Sequence, residues 1–451
     1  MTPLPGEPLT EAERRPLIDA DGRRLLSSLL EHERAPRYNH TCGDRLSSAG
    51  LAAVRAFDVE AATTAPPRPG QPPAWLTPFV AEVMATVPRY RAHGPVPPRF
   101  EQIPTIRRAD LVRAPWSFVP DDHPLDDMVV FTTTGTTDGR LAYIPSTPAA
   151  TASYAVLLRA ALRTRGLTLD GGPGRVAVAQ ICWQRRTYTY ASISTFLGQA
   201  GLLKLNLNPD DWRHADDVVA FLDAIDAEVL TGDPVAFAQL ASRPVTIHPK
   251  ALLSTAMTLT DGLRAELEDR FGCPVIDIYG MNESGPIAAA LADGGGHALL
   301  QPRLLVEILG PDDAPVAAGQ RGEITLTGGF NKAFPLLRYR TGDHAALGHR
   351  GDRPILVHLE GRPPVPFVTA DGRAVNTIDV TVALRRFSAA RYTVHQGADR
   401  SLELGLDLAG AADEAAFVAA LADLFGPVTV EVHRIDDHPE TVLYSTALTE
   451  P

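Results

Sequence analysis

Three short segments carry residue types that could do chemistry together. The first is Thr132–Arg140 (TTTGTTDGR), which follows a short apolar run. Gly135 lets a backbone approach a ligand closely, and Thr133, Thr134, Thr136 and Thr137 offer hydroxyl and amide donors. Such a loop wraps phosphate oxygens without adding charge. It is not a Walker loop, because no Gly-Lys-Ser/Thr follows. A polar strand-to-helix turn is the plainer alternative. The second segment, Asp277–Pro286 (DIYGMNESGP), sets Tyr279, Gly280, Asn282 and Glu283 close together. A carboxylate beside a phosphate loop suits Mg²⁺, which takes one or two carboxylates plus phosphate oxygens. Glu283 could equally be an acid favoured at a helix start. The third, Arg338–Asp343 (RYRTGD), reads as a strand end where Asp343 accepts hydrogen bonds from ribose hydroxyls. The alternative is a surface Arg–Asp network of small energy.

Composition narrows what these segments can belong to. The 451 residues are 45% hydrophobic and 21% charged, a globular balance that leaves disorder and fibre readings behind. A net charge of −12 argues against a nucleic-acid partner. No run approaches the roughly 18 apolar residues of a membrane helix. The polar start MTPLPGEPLTEAERRP lacks the apolar core of a signal peptide, so a cytoplasmic protein is expected. Cys42, Cys182 and Cys273 are too scattered for a disulfide framework or a zinc pattern. Among 42 basic residues only Lys204, Lys250 and Lys332 are lysines, so any mechanism that needs a lysine has three candidates.

The elements that must position the segments alternate. Residues 1–100 read as helices broken by Pro-rich connections. Strands are expected at Met128–Phe131, Arg175–Gln180, Leu202–Leu207, Glu228–Leu230 and Val275–Tyr279. Helices are expected from Thr147–Pro148 to Arg165, over Ser192–Ala200 and Asp216–Ile225, and from Thr260 to Gly272. That alternation predicts an α/β layered domain with a largely parallel sheet. Strands at Leu304–Leu309, Gly322–Thr327 and His344–Leu347 give it a β-rich end. Beyond the break at Gly361–Pro366, helices near Ile378–Phe387 and Asp413–Phe425 and strands near Tyr392–Val394, Leu402–Leu406 and Val428–His433 predict a small α+β domain. The expected divisions are 1–100 (helical part of the large domain), 101–360 (core) and 361–451 (a shortened C-terminal lid).

Taken in this order, the three segments resemble the adenylate-forming superfamily of acyl-CoA synthetases and related ligases. The stretches VPRYR (Val87–Arg91), IPTIRRADL (Ile103–Leu111), FGCPVIDIYGMNESGP (Phe271–Pro286) and FPLLRYRTGD (Phe334–Asp343) are similar to the phenylacetate–CoA ligase branch. The resemblance implies that Thr133–Thr137 bind ATP phosphates, that Tyr279–Glu283 hold adenine and Mg²⁺, and that Asp343 holds the ribose. It also implies that Gly361–Arg362 open the C-terminal domain. The acyl pocket would then be walled by Trp183, Tyr188 and Tyr190, with Ser254–Met257 opposite, aromatic walls that suit an aryl acid.

The departures matter as much. Asp138 stands where the family's phosphate loop carries Gly, and Pro363–Pro364 stand where an acidic hinge residue is usual. The family's catalytic lysine near the C-terminus is missing, since no lysine follows Lys332. Either Lys332, Arg434 or another arginine supplies that charge, or adenylation is lost and a non-adenylating nucleotide binder remains. Of the other lysines, Lys204 and Lys250 are expected beside the acyl side of the sheet. The reading is an ATP- and Mg²⁺-dependent ligase that activates a small carboxylic acid. Its acceptor is CoA, a carrier protein or an amine, and a homodimer is left open.

Overall fold

The computed structural model describes residues 9–448 other than positions 69, 126, 135–140, 185–186, 318, 361–366, 373, 376–379, 381–382, 385, 388, 390, 408–413 and 436–443. Fifteen strands before residue 361 build the framework. They are β1 (Ile106–Arg107), β2 (Val129–Thr134), β3 (Leu141–Ser146), β4 (Val176–Cys182), β5 (Tyr190–Ser194), β6 (Ala200–Asn206), β7 (Val229–Gly232) and β8 (Ala251–Thr255), followed by β9 (Val275–Met281), β10 (Gly285–Ala290), β11 (His297–Leu299), β12 (Leu304–Leu309), β13 (Arg321–Gly328), β14 (Leu336–Arg350) and β15 (Arg353–Glu360). All but the β2–β3 hairpin join one sheet, in the order β12-β13-β14-β15-β11-β10-β9-β8-β7-β4-β6-β5, with β1 added to β14.

The strands β6, β4, β7, β8 and β9 run parallel. Their near-continuous apolar sequences are what a sheet buried on both faces requires. One face is covered by helices Ala20–Glu31, Asp217–Ile225, Pro234–Ala241 and Asp261–Phe271. The other is covered by Ser48–Thr63 and Pro148–Arg163. The caps foreseen in the sequence form as physical chemistry demands. The Thr147 hydroxyl accepts from the Ala150 amide with Pro148 at the first helical position, and Thr260 accepts from Leu263. Gly272 closes the latter helix at φ 64°.

Two expectations are corrected, and one helix is added. Ser192–Ala200 is not a helix. Ser192–Ser194 completes the buried edge strand β5, and Gly198 and Gln199 at φ 67° and 69° turn the chain back into β6. The RYRTGD segment is no strand end but lies inside the fifteen-residue β14. Helix Pro234–Ala241 was not foreseen, although Asp233 caps it and Pro234 opens it. The expected helix near Ile378–Phe387 falls largely outside the described residues.

The C-terminal part has its own core. Strands Val430–Arg434, Leu402–Asp407, Arg391–Gln396 and Tyr444–Thr446 lie side by side in that order under helix Glu414–Phe425. Phe367, Tyr392, Phe417 and Phe425 fill the space between them.

The β-rich end is held to the N-terminal part by a buried arginine. Arg338 is 1% exposed and donates to the carbonyls of Glu101 (2.6 Å), Ile103 (2.8 Å) and Asp313 (3.0 Å). Its Nε also faces Glu307 on β12 at 3.6 Å. Burial pushes the Glu307 carboxyl up to about 7, against the pull of Arg338. The folded state therefore binds this proton more tightly than the unfolded chain. The resulting stability is complete below the ordinary carboxylate value and is lost as pH rises through about 7. We predict that Glu307→Gln gains on wild type by about 3 kcal/mol as pH is raised from about 5 to 8, read from urea midpoints. Parallel profiles for the two proteins would refute this.

Candidate nucleotide and acid site

The site is built where β9 turns back into β10. Met281 pairs with Gly285 and Gly280 with Pro286, leaving Asn282, Glu283 and Ser284 as the turn. Gly280 is obligatory, because a Cβ there would meet the Gly285 carbonyl at 2.8 Å. Gln301, 1% exposed, fixes the far side of the turn. Its side-chain amide donates to the carbonyls of Ser284 and Pro286, both at 2.7 Å. No helix starts at Glu283, so the dipole explanation of this acid falls away.

Glu283 is 6% exposed and its Oε1 accepts from the Tyr339 hydroxyl at 3.2 Å. Arg108 Nη1 lies 3.5 Å from the same oxygen. Burial raises the Glu283 carboxyl, while Arg108 and Tyr339 pull it back down. Beside it, the Tyr279 hydroxyl donates to Asp343 Oδ2 at 2.9 Å. Asp343 receives its own register from Thr341, whose Oγ1 accepts the Asp343 amide at 3.1 Å.

The remaining charges of RYRTGD are structural. Arg340 donates to Glu323 at 2.7 Å and pairs with Asp313. Glu323 also takes Arg107 at 3.1 Å and the Gly342 amide at 3.0 Å. The segment thus divides. Its arginines make the network expected of the alternative reading, but buried rather than on the surface, while Asp343 turns toward Tyr279.

Arg108 reaches Glu283 because β1 runs parallel to β14, with Ile106 opposite Tyr339 and Arg107 opposite Arg340. Arg108 then opens helix Arg108–Arg113, which packs against β3. β3 is one arm of the hairpin whose other arm, β2, carries Thr133 and Thr134. Gly135, Thr136, Thr137 and Arg362 lie outside the described residues. Arg108, Tyr339 and Gln301 were not singled out in the sequence. The first two sat inside quoted family segments, yet nothing in their type alone gave them a partner.

The expected acyl wall splits. Trp183 follows β4 and Met257 follows β8, and both pack on the same apolar cluster. Arg243 lies over the Trp183 ring at 5.4 Å. Ser254, at the C-terminal end of β8, is fully buried, and its hydroxyl has no hydrogen-bond partner among the described residues. It stands opposite Asp277, which pairs with His297 at 3.1 Å. Tyr190 and Tyr188 belong elsewhere. They lie on or beside the edge strand β5, around the His40 ring. Four strand spacings, roughly 19 Å, separate β5 from β8, so these tyrosines do not face Ser254 across one small pocket.

The three lysines are placed as follows. Lys250 bridges Asp170 and Glu228, each at 2.6 Å, at the start of β8, the end opposite Ser254. Its expected place on the acyl side is therefore corrected. Lys204 is half-buried in β6, in register with Gln180 and Tyr190. Lys332 is exposed in the loop before β14, and Arg434 is exposed on its strand.

No family model matches this chain. The phenylacetate-coenzyme A ligase of Escherichia coli (strain K12) is 38% identical over 92 residues, 20% of this chain and 21% of that protein. Protein CapK of Staphylococcus aureus is 31% identical over 104 residues, 23% and 21% of the two chains. The similar stretch thus spans about a fifth of the length of these curated relatives. Among solved structures, a 2-hydroxyisobutyryl-CoA ligase in its postadenylation state superposes with a TM-score of 0.57 at 16% identity, covering 88% of both chains. The fold is that of the adenylate-forming ligases. Within them the chain resembles the phenylacetate–CoA ligase branch. No helix among the described residues is long and apolar enough to cross a membrane.

The β9–β10 turn of this ligase fold rests on one side chain. Replacing Gln301 by Leu leaves two buried carbonyls unpaired, and each costs about 1–3 kcal/mol. Gln301→Leu should therefore lower folding stability by about 2 kcal/mol or more in urea titrations. An unchanged midpoint would show that the turn holds itself.

Proposed function

We propose that the protein is an AMP-forming carboxylate ligase acting on an aryl acid, with CoA as the thiol acceptor. The observation that carries this is the pairing of a buried Glu283, held by Tyr339 and Arg108, with Asp343 held by Tyr279. In the first step a carboxylate oxygen of the acid attacks the α-phosphorus of ATP. The bond to the bridging oxygen breaks and pyrophosphate leaves. In the second step a thiolate attacks the acyl carbon and AMP leaves. Likeness to phenylacetate-coenzyme A ligases supports CoA over a carrier protein or an amine, and supports a ligase over a non-adenylating binder.

Asp343 would accept the ribose hydroxyls, with Tyr279 fixing its orientation and offering a ring to the adenine. Trp183 and Met257 would bound the acid, and the unpartnered Ser254 hydroxyl would meet a polar group of it. Among the described residues no three His, Cys, Asp or Glu side chains gather. A single buried carboxylate fits Mg²⁺ that arrives with phosphates, and Glu283 would hold it. When bound, Mg²⁺ neutralises phosphate charge. Residues from 361 onward would act as the lid.

ATP–pyrophosphate exchange over a panel of aryl acids that includes phenylacetate tests the reading. Exchange is expected with at least one acid, and Glu283→Gln should reduce it at least tenfold while the fold survives. Asp343→Ala should weaken ATP binding about tenfold or more, the equivalent of a charged hydrogen-bond pair. Full exchange in Glu283→Gln, or ATP binding without exchange for any acid, would overturn it.

A further inference from the structure

Toward its carboxyl ends the parallel sheet carries a row of polar side chains. Tyr190 on β5 is in register with Lys204 on β6, Lys204 with Gln180 on β4, and Gln180 with Thr231 on β7. Residues in register on neighbouring strands project from one face of the sheet. Leu202 and Val178, two residues back on β6 and β4, pack in the cluster under helices Ser48–Thr63 and Pro148–Arg163, which fixes the face. β4 is paired on both sides, yet Gln180 is exposed, so those helices leave an opening over the row. The row continues into Leu253 and Ile276, both 0% exposed, so the opening closes beyond β7.

Lys204 is half-buried. Neither it nor Tyr190, Gln180 or Thr231 makes a side-chain hydrogen bond or ion pair among the described residues. Cys182, which feels the charge of Lys204, is no counter-ion, because burial pushes its thiol up to about 11 and keeps it neutral. Burial likewise keeps the Tyr190 phenol a neutral donor. Drawing a cation partly out of water costs free energy unless a counter-charge meets it. The location also suits a ligand. The chain passes from β4 to β5 and β6 on one side, then crosses back to β7 on the other. Open α/β sheets bind ligands outside the carboxyl ends of the strands at such a switch. The helix Pro148–Arg163 over this face also reaches the Glu283 turn, where the Tyr154 hydroxyl donates to the Asn282 carbonyl at 3.5 Å.

We propose that Lys204 is a specificity-determining residue that binds a second carboxylate of the substrate acid, so that the preferred substrate is an aryl dicarboxylate. The inference rests on the ligase reading and names the substrate class of that same site. Four strand spacings, roughly 19 Å, separate β6 from β9, whose end carries the Glu283 turn. Lys204 therefore meets the end of the acid remote from ATP, not the carboxylate that is activated. Its ammonium, the Tyr190 hydroxyl and the Gln180 amide all donate, and a carboxylate offers two acceptor oxygens to them. No bond forms or breaks at this end.

The test compares phenylacetate with its ring-carboxylated derivatives, which differ from it only by the second carboxylate. In ATP–pyrophosphate exchange the wild-type protein should favour one dicarboxylate at least tenfold in kcat/KM. Lys204→Met keeps the length of the side chain and removes its charge. It should raise KM for that acid about tenfold or more, the worth of a charged hydrogen bond, and leave KM for phenylacetate and both kcat values within about twofold. Lys204→Arg should recover part of the loss. Titration calorimetry with the dicarboxylate alone reads the same contact without turnover. Should Lys204→Met fail to fold, Lys204→Gln carries the comparison. Equal loss for both acids, or none for either, gives Lys204 a structural role, and the proposal falls while the ligase reading stands. A wild-type preference for phenylacetate over every dicarboxylate overturns it as well. If no acid supports exchange, the ligase reading fails and calorimetry alone judges the contact. Dicarboxylate binding that weakens about tenfold in Lys204→Met then supports it, and the absence of binding overturns it.

Discussion

The whole site depends on a two-residue parallel pairing. Ile106 and Arg107 lie against Tyr339 and Arg340, far apart in the chain. Two residues of ladder are too few to hold by backbone hydrogen bonds alone. Arg338 supplies the rest, donating to carbonyls that precede β1. A buried guanidinium that satisfies three backbone acceptors is costly to displace, since each orphaned carbonyl would carry its own desolvation cost. With that seam closed, Arg107 is brought within reach of Glu323 and Arg108 within reach of Glu283. The seam also explains why the segment is so dense in arginine. Its members hold the register that lets Tyr339 and Asp343 point at the turn.

Burial then sets the electrostatics. Glu283 is kept from water by its surroundings, and its opposing partners are one phenol and one guanidinium at long range. Such a carboxylate gains from any further positive charge brought close. Tyr279 and Tyr339 are both pushed far above the ordinary phenol value by burial and by the neighbouring carboxylates. They stay neutral donors, which makes each a fixed hydrogen bond to its acid rather than a competing base. Each of the two carboxylates thus has a phenol hydroxyl among its donors.

Much of this was legible in the sequence, and the rest was hidden for physical reasons. The parallel half announced itself through apolar runs between capped helices, as at Thr147 and Thr260. The Tyr-Gly-x-x-Glu turn and Asp343 were visible because their residue types are unusual at that spacing. Other elements gave weaker signals. β10, Gly285–Ala290, is alanine-rich with Ile287 as its single β-branched residue and opens on Gly-Pro, a weak strand signal, yet all of it is buried between β9 and β11. Ser192–Ser194 looked helical because small polar residues carry no period, and only pairing with β6 decides their conformation. Helix Pro234–Ala241 carried the same cap-then-proline signal as Thr147–Pro148 but is short. The pocket tyrosines were misplaced because neighbours in sequence order are not neighbours in sheet order. β5 follows β4 along the chain, but β6 inserts between them.

The sparse lysines sharpen the same point. Where nearly every cation is arginine, residue type cannot say which one acts, and only surroundings can. Arg338 and Arg340 have their donors consumed by fixed, buried acceptors, which is how an arginine holds a structure. Lys250 is likewise committed, between Asp170 and Glu228.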